Sequence, residues 1–112
     1  MKVIIKRPCD QFGEEATIPN TLKALQEAVG GYIETVTLDN GVVLICNEEG
    51  KLRDMPYNLT ARKLINSNAF GSFYGQFPIF GTVIVCGAEG DEFADIPIDF
   101  NEWKALLCEW GN

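Results

Sequence analysis

Histidine is absent from the chain, and so is any pair of cysteines close enough in sequence to form a CxxC or CxxxC motif. Without histidine no Ser-His or Cys-His nucleophile can be assembled, and the usual Cys/His zinc sites are closed off. The four cysteines, Cys9, Cys46, Cys86 and Cys108, are widely spaced. Cys46 and Cys86 end the apolar runs 42–46 and 83–86, so they are expected as small buried hydrophobes, not disulfide partners. Long hydrophobic runs are missing too. None approaches the ~20 residues of a membrane span. The opening Met1-Lys2-Val3-Ile4-Ile5-Lys6 holds too short an apolar run for a signal peptide, so a cytoplasmic chain without membrane contact is expected. There is no GxxxxGK[ST] phosphate loop. No catalytic residue, metal or cofactor is expected.

Positive charge is scarce in the second part of the chain. Residues 1–63 are nearly balanced at −1, whereas residues 64–112 carry −6 with Lys104 as their one cation, which together make the net −7. Such a surface does not neutralise phosphates, so direct nucleic-acid binding is not expected. A basic protein partner, or a small ligand held by a local cationic pocket, is compatible with it.

What is present reads as one α+β domain over residues 1–112, with 46 % hydrophobic and 22 % charged residues. Strands are expected over 3–6 and 15–18. A helix follows, N-capped by Asn20 or Thr21, with Leu22, Leu25 and Val29 on one face and Gly30-Gly31 as its stop. Strands over 32–39 and 42–47 flank Asn40-Gly41, a type I′ hairpin signal. A two-residue turn there pairs Leu38 with Val43, Val36 with Ile45 and Glu34 with Asn47. The Val36/Leu38/Val43/Ile45 face should then pack on the helix. Residues 59–65 suggest a short helix, 70–78 an aromatic and glycine-rich loop, 79–87 a further buried strand and 89–92 a polar turn. Asp99 and Glu102 have capping-box spacing ahead of a C-terminal helix striped by Phe100, Trp103, Leu107 and Trp110. A mixed sheet is expected, and the β-β-α-β-β order of the first half is β-grasp-like.

Several of these segments recur together in a known family. Residues 21–34 (TLKALQEAVGGYIE), residues 47–52 (NEEGKL), Pro56, Asn58 and residues 79–87 (IFGTVIVCG) resemble the domain of unknown function 3846 family. The resemblance covers roughly residues 1–88 and implies a small protein of a phage or other mobile element. It brings no activity or site residue with it. Accessory proteins of such elements often act by binding, so the resemblance implies a non-enzymatic protein that inhibits a host, defence-related protein. The alternative is a small-molecule binder, such as a sponge for a nucleotide signal.

For a ligand the candidate residues are Tyr32, Asn47, Asn58 and Arg62, with Lys63 beside them. A tyrosine ring can stack on a base, and Asn and Arg can bind phosphate or carbonyl groups; the plainer reading has Asn47 and Asn58 as turn and cap residues and Arg62 as a surface cation. For an interface the candidates are Phe70, Phe73, Tyr74 and Phe77, which lack a regular period and either cap the core or cover a homodimer contact. A third reading has the acidic second half imitating nucleic-acid phosphates.

Overall fold

The computed structural model describes residues 1–37, 41–50, 53–56, 58 and 80–110. The chain folds into strands β1 (Lys2–Lys6) and β2 (Glu14–Thr17), helix α1 (Leu22–Val29), strands β3 (Ile33–Thr37), β4 (Val42–Asn47), β5 (Val83–Glu89) and β6 (Glu92–Ala94), and helix α2 (Phe100–Trp110). The α+β class and the β-β-α-β-β opening are as expected, and the likeness to a β-grasp rests on that element order. Among the described residues the sheet order is β2-β1-β5-β4-β3 with β6 also on β5, and these pairings are antiparallel. The polar turn expected over 89–92 joins β5 to the short strand β6, which begins at Glu92. Its three residues pair Gly87 with Ala94 and Glu89 with Glu92.

β4 and β5 are central and covered on both faces, which is why they read as unbroken apolar runs. All six β4 side chains are buried. Alternation splits the core in two. Val43, Ile45, Ile84 and Cys86 meet Leu25 and Val29 of α1. Val36, Leu44, Cys46, Val83 and Val85 meet Trp103 of α2 on the other face.

α1 starts at Thr21, whose Oγ1 accepts from the Ala24 N–H at 3.2 Å. It stops at Gly30, which takes φ 82 and donates to the Gln26 carbonyl. Leu22 does not pack on the sheet as expected. It lies outside the cluster and is 58 % exposed. Asp99 caps α2, accepting from the Glu102 N–H at 2.7 Å. Trp103 is buried and its Nε1–H donates to the Phe12 carbonyl at 2.6 Å, pinning α2 to the loop before β2.

The hairpin register differs by one residue from the expected one. Val36 pairs with Leu44, Thr35 with Ile45 and Glu34 with Cys46. The slip sends Val36 to the α2 face and leaves Val43 and Ile45 on α1 as expected. Because β4 is apolar on both faces, either register gives it apolar neighbours, and its pattern cannot choose. Gly41 sits at φ 74, and the last described pair before the turn is Thr37 with Val43. Leu38, the expected helix over 59–65, and the side chains of Leu106, Leu107, Cys108 and Trp110 lie outside the described residues.

Candidate functional site

Several of the residues that carry the family resemblance lie near one corner, where α1 ends and β4 leaves the sheet. Asn47 is buried there. Its Nδ2 donates to the Val29 carbonyl at 3.1 Å, one of the carbonyls a helix end leaves free, and its Oδ1 accepts from the Glu49 N–H at 2.7 Å. The turn that follows closes through Gly50 N–H to the Asn47 carbonyl and Met55 N–H to the Gly50 carbonyl. A Cβ on Gly50 would stand 2.9 Å from the Phe80 carbonyl oxygen, and one on Gly81 would stand 2.8 Å from Met55 Sδ. These glycines let chain segments approach that a side chain would hold apart.

Asn58 completes the arrangement. It is fully buried, and its Nδ2 bridges the Lys6 and Gly81 carbonyls, each at 3.1 Å. Both asparagines picked out as ligand candidates are thus engaged with backbone groups. Such groups would be costly to bury without a partner. Of the four ligand candidates, Tyr32 and Asn47 share the corner, since the Tyr32 carbonyl accepts from Glu48 N–H beside Asn47. Tyr32 is 65 % exposed. Arg62, with Lys63, and the interface candidates Phe70, Phe73, Tyr74 and Phe77 lie outside the described residues. Arg53, not singled out in the sequence, borders Tyr32's turn. Its guanidinium reaches Glu49 and the Gly30 carbonyl, each at 3.4 Å.

Titration behaviour follows burial. The Cys46 thiol is pushed up to about 12 by burial and secondarily by Glu34, and Cys86 to about 11 by burial. Neither is a ready nucleophile. Lys6 is buried, and its Nζ donates to the neighbouring Arg7 carbonyl at 2.6 Å. Burial lowers its pKa, and Asp10 and Cys9 oppose that shift. Exposed Arg7 holds Glu14 at 2.9 Å and Asp10 at 3.5 Å; its pKa is raised, first by the hydrogen bond to Glu14. Among the described residues no group of His, Cys, Asp or Glu converges as metal ligands, and no helix is long and apolar enough to cross a membrane.

The acids of the second half behave differently. Glu89, Asp91, Glu92, Asp95, Asp99 and Glu102 are all exposed. They run from the end of β5 through the β5–β6 turn and the 95–99 crossing into the first turn of α2. None forms an ion pair among the described residues. Asp95 accepts from the Lys2 N–H at 2.8 Å, and Asp99 caps α2. Beside them lies an open groove of about 590 Å³, lined by Lys2, Ile4, Glu15, Thr17, Ile98 and Asp99. Charge counting found these acids in the sequence. Their common exposure and the groove needed the fold.

No curated protein and no solved structure matches the chain. The resemblance seen in the sequence stopped near residue 88. The family model for the domain of unknown function (DUF3846) extends further, over residues 1–107, taking in the acidic run and Trp103, and the chain belongs to that family.

Proposed function

We propose that this protein works by binding, not catalysis, and that its acidic surface receives a basic face of a partner protein. One observation carries the reading. Six carboxylate side chains between Glu89 and Glu102 are exposed and without counter-charge among the described residues. Like charges held together repel one another, and a partner of opposite sign relieves that repulsion while steering its own approach. In the phage or mobile-element setting implied by the family resemblance, the partner is a host protein, a defence protein being the expected kind, and binding inhibits it.

The small-molecule alternative draws less support. It needed free amides at Asn47 and Asn58, and those amides are engaged with backbone carbonyls. Tyr32 alone among the described candidates is free to stack on a base.

Capture from bacterial lysate tests the proposal. The immobilised chain should retain a stoichiometric protein, less of it as salt rises. A Glu89→Lys/Asp91→Lys/Glu92→Lys variant should lose it. Retention of no such protein, or retention indifferent to the triple reversal, would sink the reading.

A further inference from the structure

The acidic run is not the one surface with unanswered groups. We infer that the free edge of β3 is a second interaction surface, which takes an extended, basic segment of a partner as an added antiparallel strand. This goes beyond the acidic surface proposed above. β4 lies between β3 and the strand whose turn carries Glu89 and Asp91.

The backbone sets which groups are free. In an antiparallel pair, alternate residues bond to the neighbour and those between them point away. Glu48 N–H donates to the Tyr32 carbonyl at 2.9 Å, and Tyr32 and Glu48 stand in the same register as Glu34 with Cys46 and Val36 with Leu44. Residues 32, 34 and 36 therefore face β4. The N–H and C=O groups of Ile33, Thr35 and Thr37 point outward. No strand pairs with that side among the described residues, and the Thr35 and Thr37 side chains are exposed.

Edge strands are commonly blunted by lysine, proline, a bulge or an inward charge. Ile33–Thr37 reads Ile-Glu-Thr-Val-Thr, mostly β-branched and well suited to pairing, with no lysine, proline or bulge; its one charge is the half-buried Glu34, on the face of Val36. The opposite edge, β2, is shorter and begins Glu14-Glu15, with Arg7 clamped on Glu14. It is the more heavily guarded of the two.

Charge selects the occupant. Glu34 and Glu48 stand at this edge without an ion pair among the described residues, and Tyr32 presents a free ring at the strand's start. An added strand with Lys or Arg at alternate positions would set cations against Glu34 and within reach of the ring. Its other positions would lie along Ile33, Thr35 and Thr37. Backbone bonds would give the affinity and the alternation the specificity. A second copy of this chain would bring another −7 to the same place.

Hydrogen exchange on the unmodified protein tests the edge, and a capped peptide of alternating Lys and Thr tests the occupant. In the free protein the amides of Thr35 and Thr37 should exchange fast and those of Glu34 and Val36 slowly. The peptide should slow Thr35 and Thr37. Thr35→Pro removes an outward donor at a site where edge strands tolerate proline, and should weaken peptide binding about tenfold or more, with Thr35→Ala near the unmodified protein. A peptide of alternating Glu and Thr should not bind. Slow exchange at Thr35 and Thr37 in the free protein would overturn the inference outright. So would peptide binding that survives Thr35→Pro but is lost on reversing Glu89, Asp91 and Glu92, a result that leaves the acidic-surface reading standing. A dimer dissolved by Thr35→Pro would give the edge to a second copy and equally overturn the basic occupant.

Discussion

The corner at the end of α1 and the acidic run from Glu89 to Glu102 treat their polar groups in opposite ways. At the corner, Asn47 and Asn58 are buried and bonded to backbone carbonyls, and Gly50 and Gly81 allow the approach of neighbouring chain. Along the acidic run the carboxylates are exposed and without ion pairs among the described residues, and of them Asp95 and Asp99 accept backbone N–H groups. A motif rich in Gly and Asn is readily taken for a binding loop, yet here it builds the fold. The unpatterned charges are the ones left to meet something else.

If that contrast is right, changes at the corner alter stability and changes along the run alter binding. The largest effect is expected from Asn58→Ala, which leaves the Lys6 and Gly81 carbonyls without their donor. Urea denaturation should show a loss of about 3 kcal/mol. Alkaline pH reaches both faces of the sheet, through Cys46, next to Asn47, on the α2 side and through Cys86 on the α1 side. Both thiols have folded values raised above the ordinary 9.0, so the unfolded chain sheds their protons first. Stability is therefore whole below pH 9 and falls as pH rises through 9 toward 11 and 12. Lys6, lowered from 10.5, has the opposite slope but is one group against two. The two thiols together should cost about 3 kcal/mol by pH 10, part of it offset by Lys6, measured by denaturation across pH, and Cys46→Ala/Cys86→Ala should flatten the profile.

Asn47→Ala comes next, at about 1–2 kcal/mol, because the Val29 carbonyl and the Glu49 N–H each lose a partner. Partner capture should be unchanged in whatever fraction remains folded. The smallest effect belongs to Glu89→Lys/Asp91→Lys/Glu92→Lys, within about 0.5 kcal/mol in the same denaturation experiment, since the side chains touch nothing they would miss. A large loss there, or a negligible one at Asn58, would erase the distinction between the two regions.

Much of this was legible in the chain. A cap at Asn20 or Thr21, the Gly30 stop, the Asp99 cap and buried strands over 42–47 and 79–87 followed from local spacing; the structure caps α1 at Thr21 and starts β5 at Val83. The acidic run was visible as charge. A turn or cap role for Asn47 and Asn58 was legible beside the ligand one, but the choice between them, and the carbonyls they meet, were not. An asparagine in a sequence displays the same donors and acceptor whether it meets a ligand or a carbonyl, and the carbonyl that Asn58 meets at Lys6 is 52 residues away. Leu22 shares its stripe with Leu25 and Val29, yet only the latter two are covered.

Composition and periodicity by themselves determined the α+β class, the placement of most elements, the burial of Cys46 and Cys86, and the uneven charge. Those depend on each residue's own chemistry and on neighbours a few positions away. Tertiary structure alone decided the antiparallel sheet order, the hairpin register that turns Val36 toward Trp103, and which polar groups are engaged. The reason is the same in each case. β4 is apolar on both faces, so its own pattern permits either register, and only the helix, loop and strand packed around it choose between them.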